Sequence, residues 1–313
     1  MRRARAVVGF LVVVLYVIPV AADPTPFLGR WNLTSVDHEP TYVYWLEVRE
    51  EGGALTGTLL NRGGSPLPLP AISVEGEELV FRAASPADRP SPEFRARIEG
   101  DELVGTVTEG DRTIKWLGRR PPTWGDADAN ADHAFGTPVE LFDGRSLDAW
   151  EVQDKEQPSG WSVVDDAMTN QAKANNLVSK QKFTDFKIQA EYKLEPESNS
   201  GIYLRGRYEL QVLDDHGKPI AEGGHMAIYA WEPPRVNASK PAGEWQTMEA
   251  TLVGNRVTVT LNGQTVHDNV AIQAITGGAL DANESMAGPI MLQGDHGKVW
   301  FRRVTVTPIM GAG

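Results

Sequence analysis

Short runs that alternate apolar and polar side chains, broken every few residues by glycine, constrain this chain more than any other feature. Phe186-Lys-Ile-Gln-Ala-Glu-Tyr-Lys193 alternates without interruption. Successive side chains on a strand point to opposite faces, so one face of this run is made to be buried. No segment carries a long apolar stripe at helical spacing. The 31 glycines and 21 prolines supply turns in the density that antiparallel sheets need. An all-β chain follows.

At 313 residues it is long enough for two domains. Arg2, Arg3 and Arg5 precede an apolar run from Ala6 to Ala22 that ends Val20-Ala-Ala22 before Asp23. This is the pattern of a cleaved export signal, so the mature chain is expected to begin near Asp23 and to be periplasmic or extracellular. It would then have no membrane partner. Cysteine is absent, which removes disulfides, thiol nucleophiles and zinc-thiolate sites. The net charge of -12 offers no basic excess for a phosphate backbone, so nucleic acid is not expected as a partner.

Residues 23–120 read as short strands separated by Glu51-Gly-Gly53, Arg62-Gly-Gly64 and Glu99-Gly-Asp101. They predict a small antiparallel barrel-like domain of lipocalin-like pattern with no evident catalytic set. Residues 121–136 have linker composition. Asp126, Asp128, Asn130 and Asp132 alternate there as in a calcium loop, but Ala131 and Thr137 replace the glycine and glutamate such a loop requires. Residues 137–309 return to strand patterns and predict a two-sheet sandwich of jelly-roll type, expected to fold and act without the first domain.

The stretch Ser198–Gly217 carries the densest chemistry. Tyr203 and Arg205 alternate with Ile202 and Leu204, and Glu209 and Gln211 alternate with Tyr208, Leu210 and Val212. The polar sides thus gather a phenol, a guanidinium, a carboxylate and an amide, a set suited to a polyhydroxylated ligand. An Arg–Glu pair on a solvated sheet face would produce the same pattern.

Several motifs now occur in order. They are Leu141-Phe-Asp-Gly-Arg-Ser-Leu-Asp-Ala-Trp150, Asn199-Ser-Gly-Ile-Tyr-Leu-Arg-Gly206, Tyr208-Glu-Leu-Gln-Val-Leu-Asp214, Lys240-Pro-Ala-Gly-Glu-Trp245, Leu261-Asn-Gly263 and Gly288-Pro-Ile-Met-Leu-Gln-Gly-Asp-His-Gly297. Together they resemble the 3-keto-disaccharide hydrolase family, formerly a domain of unknown function, over about residues 138–308. The resemblance implies a concanavalin-like sandwich and a carbohydrate substrate whose 3-hydroxyl has become a ketone. Near the carboxyl terminus Gly294 is inserted relative to the family's usual Leu-Gln-Asp-His-Gly.

A ketone at C3 acidifies the hydrogen on C2, so a base can drive elimination of the C1 substituent, and water then adds. On that reading Glu209 is the base. Arg205 and Gln211 hold the C3 oxygen and a neighbouring hydroxyl, and His296 is the acid or proton shuttle. Tyr203, Gln293 and Asp295 complete the substrate-binding set. Tyr229, Trp231 and Trp245 are candidates for stacking on the sugar, and Lys240 and Glu244 for closing over it. No cofactor is expected. Asp214, Asp215, His216, His225, Asp295 and His296 form no known metal spacing, although their donors leave a divalent cation open. Two other classes compete: a laminarinase-like retaining glycosidase using Glu209 and Asp214, and a carbohydrate-binding module that needs no base.

Overall fold

Residues 23–38, 41–60, 64–86 and 91–311 are described by a computed structural model of the chain. The proposed export signal lies outside the described residues, as do residues 39–40, 61–63, 87–90 and 312–313.

The first sheet is built from nine strands. They are β1 (Gly29–Ser35), β2 (Val43–Glu51), β3 (Ala54–Leu60), β4 (Pro66–Pro68), β5 (Ala71–Glu75), β6 (Glu78–Arg82), β7 (Glu93–Glu99), β8 (Glu102–Glu109) and β9 (Arg112–Arg119). Their order is β4-β3-β2-β1-β9-β8-β7-β6-β5, so the first and last strands pair, with Leu33 opposite Gly118. That pairing leaves β4 and β5 as the edges. They are consecutive in the chain, and the sheet curls toward closure around Leu33, Leu46, Phe81, Phe94 and Trp116. Pro66 and Pro68 lack the N–H that a further strand would need, which suits a short edge.

The second part begins with β10 (Val139–Phe142), β11 (Trp150–Val152), β12 (Trp161–Val164), β13 (Ala167–Asn170) and β14 (Leu177–Phe183). The middle strands are β15 (Phe186–Leu194), β16 (Asn199–Leu204) and β17 (Tyr208–Leu213). Then come β18 (Gln246–Val253), β19 (Arg256–Leu261), β20 (Gln264–Ala271), β21 (Gly288–Leu292) and β22 (Val299–Pro308). One sheet runs β12-β13-β22-β15-β18-β19-β20 with β10 on β22, and a five-stranded sheet runs β11-β14-β21-β16-β17. Alternation decides the faces. Phe186, Ile188, Ala190 and Tyr192 of β15 are buried and share a core with Ile202, Leu204, Leu210 and Val212 of the other sheet. The larger aliphatic and Phe side chains of this set each contribute about 1.5–3 kcal/mol by leaving water. The result is the concanavalin-like, jelly-roll sandwich expected.

Segment 121–136 does not behave as a free tether, despite its composition. The Trp124 ring lies 5.8 Å from the Arg205 guanidinium. Ala129 N donates to Asn269 Oδ1 at 3.0 Å, and Asn130 Nδ2 to Asp268 Oδ1 at 2.6 Å. Small alanines let this segment lie flat on the sandwich, a fit that composition alone does not reveal.

The two halves also meet directly. Trp45 of β2 stacks on Trp231 with centroids 5.3 Å apart, and its indole N–H donates to Ile275 O at 3.1 Å. Arg30 sits 5.1 Å from both rings and donates to Gln273 O. Asn32 Nδ2 donates to Glu284 Oε1 at 2.7 Å, and Tyr208 OH donates to the other oxygen at 3.0 Å. The first domain is therefore anchored on segment 273–284, which is also a wall of the candidate site.

Candidate active site

Strands β16 and β17 form a hairpin that sets Tyr203 directly opposite Glu209 and Gly201 opposite Gln211. Their apolar neighbours enter the core, so these polar side chains emerge together on the other face of the five-stranded sheet. Here they line a cavity of about 140 Å³ with Asn176, Asn199, Tyr229, Gln293, Asp295 and His296. Gly277 and Gly278 close it from the anchored segment. Seven residues expected at a ligand site thus converge: Tyr203, Glu209, Gln211, Tyr229, Gln293, Asp295 and His296.

Glu209 is almost fully buried, at 4% exposure. Burial pushes its carboxyl up to about 8, against the opposing effects of the Tyr203 hydroxyl and the charge of His296. Its backbone N–H donates to Thr276 Oγ1 at 2.9 Å, and Tyr229 N donates to its carbonyl at 3.1 Å. The residue is held by the covering segments as well as by its own strand. Gly201 makes room for the side chain: a Cβ there would lie 2.5 Å from Glu209 Oε1.

The Tyr203 hydroxyl is within hydrogen-bonding reach of Glu209 and donates to Gly277 O at 2.9 Å. A phenol has one proton. That proton serves Gly277 O, so the same hydroxyl only partly offsets the effect of burial on Glu209. At the rim, His296 Nδ1 pairs with Asp295 Oδ1 at 2.7 Å. That hydrogen bond, with the nearby Glu209 charge, holds the imidazole above its ordinary value.

Several polar groups of the lining residues have hydrogen-bonding capacity to spare. Gln211 Oε1 accepts from Val212 N at 3.0 Å, so its N–H groups are what it offers. Asn199 Oδ1 and Gln293 Oε1 are buried and accept no hydrogen bond within the described residues. Leaving a buried acceptor unpaired costs about 1–3 kcal/mol. Both acceptors belong to side chains that line the cavity. Gly294 does not displace the motif that follows it. Its N–H donates to Asn176 Oδ1 at 2.8 Å, its carbonyl accepts from Asn170 Nδ2 at 3.0 Å, and Asp295 and His296 still reach the cavity.

Four expected site residues lie elsewhere. Strand β16 ends at Leu204. Arg205 (φ 53°) and Gly206 (φ 67°) then form a tight turn closed by Arg207 N to Leu204 O at 3.1 Å. That turn ends the alternation, and the Arg205 guanidinium instead donates to Asp185 Oδ1 at 2.8 Å and to Thr184 O at 2.5 Å. Lys240 donates to Trp245 O at 2.9 Å and wraps around Gln246. Glu244 is exposed, and Trp245 faces Arg302 and Lys193, 4.5 and 5.1 Å from its ring. None of the four lines the cavity. Trp231 is taken by Trp45. Asp214 accepts from Glu197 N at 2.9 Å and is likewise outside the cavity. Among the described residues no group of three or more His, Asp or Glu side chains could hold a metal ion.

Asn176, Asn199, Gly277 and Gly278 line the cavity without having been expected there. Asn199 opens the motif that runs to Gly206. The pairs Asn175-Asn176 and Gly277-Gly278 were the only sequence signal for the others.

Residues 137–307 match the family described as the 3-keto-alpha-glucoside-1,2-lyase-like domain, over more than half of the chain. The chain belongs to this family. A curated relative named 3-keto-disaccharide hydrolase, from Bacteroides thetaiotaomicron, is 24% identical over 143 aligned positions covering 34% of this chain and 49% of the relative. The chain thus spans about half the length of that relative. A Parabacteroides distasonis structure named provisionally as a glycosyl hydrolase is 30% identical, covering 60% of this chain and 92% of its own, with a TM-score of 0.48. A non-specific endo-beta-1,3(4)-glucanase of family GH16 is 10% identical, covering 60% and 94%, with a TM-score of 0.37. The lyase-like domain includes every described cavity residue, and the first domain lies outside it.

Proposed function

We propose that the chain cleaves 3-keto-glycosides by removing the C2 proton, expelling the C1 substituent and adding water. The observation that carries this reading is a buried carboxyl, Glu209, sharing one small polar cavity with the His296–Asp295 pair.

A carboxylate whose proton affinity has been raised by burial is a stronger base than one in water. As Glu209 takes the C2 proton, the C2–H electrons form a C2–C3 double bond and the charge passes to the C3 oxygen. The Gln211 N–H groups are the donors that line the cavity to meet it. The enolate then reforms the ketone, its electrons move to C1–C2, and the C1–O bond breaks. His296, protonated through its partnership with Asp295, gives the leaving oxygen its proton. Water adds at C1 and a proton returns to C2, so the net change is hydrolysis. Asn199 Oδ1 and Gln293 Oε1 accept from the hydroxyls that position the ring.

Glucanase-like displacement through Glu209 and Asp214 has lost its partner, because Asp214 is turned away to Glu197. A pure binding module has no use for a buried carboxyl at raised proton affinity. The decisive experiment follows deuterium at C2 of a 3-keto-glucoside during turnover. Exchange into water is expected, and Glu209→Gln should slow it by about 10²–10⁴. Complete hydrolysis with the deuterium retained would exclude elimination.

A further inference from the structure

The cavity at Glu209 is small. Its volume of about 140 Å³ lies below the roughly 300 Å³ at which sites for drug-sized ligands begin. It has room for one sugar ring, and the group carried on C1 must lie outside it. Beyond Tyr229 a second depression of about 200 Å³ opens, lined on one side by Glu222, Gly223 and Ala230. The opposite side is Ser65 and Pro66 of the first domain, at the start of β4. Tyr229 lines both spaces, and Ser65 Oγ is 3.5 Å from its hydroxyl.

The placement of Ser65 is not left to a loose contact between domains. Trp45 stacked on Trp231, its indole bond to Ile275 O and the buried Asn32–Glu284 bond fix the first domain against the sandwich. All four of the buried partners Trp45, Asn32, Glu284 and Tyr208 are under 5% exposed. The seam therefore holds the β3–β4 end of the barrel-like sheet beside the catalytic cavity.

We infer that the first domain builds half of the leaving-group subsite: the depression between Ser65-Pro66 and Glu222-Gly223 receives the polyhydroxylated ring carried on C1, so residues outside the family's domain contact the second ring. This inference rests on the glycoside reading of the Glu209 cavity. The Tyr229 ring offers a face to the glycosidic bond, while the Ser65 hydroxyl and the Glu222 carboxylate supply a donor and an acceptor for hydroxyls of the second ring. Pro66 gives that ring an apolar surface of fixed shape. The family's domain alone would present only the Glu222 side.

Two substrates separate the inference from its premise: a 3-keto-disaccharide, and the methyl 3-keto-glucoside that has no second ring. Ser65→Trp fills the depression and Glu222→Gln weakens its acceptor, and neither residue belongs to the catalytic cavity. Each should raise KM for the disaccharide about tenfold and leave the methyl glycoside within twofold. Equal effects on both substrates, or none on either, would overturn the subsite. Calorimetry on the Glu209→Gln chain measures binding without turnover. There the disaccharide should bind at least tenfold tighter than 3-keto-glucose, and Ser65→Trp should abolish that advantage. If the disaccharide gains nothing over the single ring, the subsite is refuted even where turnover succeeds. If the disaccharide binds with that advantage but is not turned over, the subsite stands and the elimination chemistry falls.

Discussion

Glycine 201 offers the sharpest test of the catalytic geometry, because it touches no substrate in the proposed mechanism. Gly201 lies on β16 in extended backbone, so alanine brings no dihedral penalty there. The new Cβ would, however, lie 2.5 Å from Glu209 Oε1 and 3.1 Å from both Cδ and Cγ. An ordinary contact requires about 3.4 Å, so the carboxyl must retreat by roughly 0.9 Å. It can do so, since the obstructed atoms are the end of a flexible side chain. Overpacking of this kind costs about 1–3 kcal/mol, offset in part by about 0.4–1 kcal/mol from the less flexible unfolded chain. A displacement near 1 Å costs about 10²-fold in rate. Gly201→Ala should therefore stay folded, with a thermal midpoint only a few degrees lower, yet lose about two orders of magnitude in C2 exchange and in turnover. KM should move little. A Gly201→Ala chain that is folded and fully active would refute the assignment of Glu209 as base at this position, since the Cβ moves that carboxyl away from where the structure holds it.

The pH behaviour follows from the same carboxyl. Native Glu209 keeps its proton up to about 8, whereas an unfolded glutamate releases it near 4.5. Between those values the native state binds the extra proton, so its contribution to stability declines as pH rises and levels off above 8. Glu209→Gln should then be more stable than the parent by a few kcal/mol at pH 8, with the gap closing toward pH 5, as read by denaturant titration at both. Turnover needs the ionised form, so kcat/KM should climb with pH until about 8, and His296→Asn should remove the alkaline limb. Arg205→Met should leave Asp185 buried without its partner and cost about 3–5 kcal/mol, while kcat of the folded fraction stays near the parent's. Trp45→Ala opens the seam over Trp231 and Ile275 at about 3–5 kcal/mol, and should also lower kcat, because the loosened segment carries Thr276 and Gly277.

What the sequence made legible was whatever repeats at a fixed period. Alternation located Glu209 and Gln211 on one face of β17 and Tyr203 on the matching face of β16, and all three meet at one cavity. The same rule misplaced Arg205, because it was carried one residue past the end of the strand. Gly206 marked the turn, but only coordinates show that the left-handed conformation begins at Arg205 itself and swings the guanidinium toward Asp185. Asp295 and His296 were reachable through family resemblance alone, since nothing periodic connects a loop after β21 to a carboxyl on β17. Gly294 gave reason to expect a shift there. It is absorbed instead where a Cβ would strike Asn175 O at 2.4 Å, a pocket of backbone that only glycine fits.

The larger gap concerns the division of labour between the two halves. Linker composition and the confinement of every expected site residue to the second half argued for a self-sufficient sandwich. Such an argument counts which chain segment carries a residue, not which segment holds it in place. Glu209 N is bound by Thr276 and Tyr203 OH by Gly277, and their segment is in turn bound by Trp45, Arg30 and Asn32. None of these last three is chemically eloquent in sequence: an aromatic, a basic and an amide residue on the outward positions of two barrel strands. Their meaning arises only when the strand faces are assigned. Outward residues of a barrel should be polar, and Trp45 at 2% exposure on the outside of β2 is the violation that reveals a partner surface. A domain that contributes no residue to the Glu209 cavity can thus determine how firmly that buried carboxyl is held.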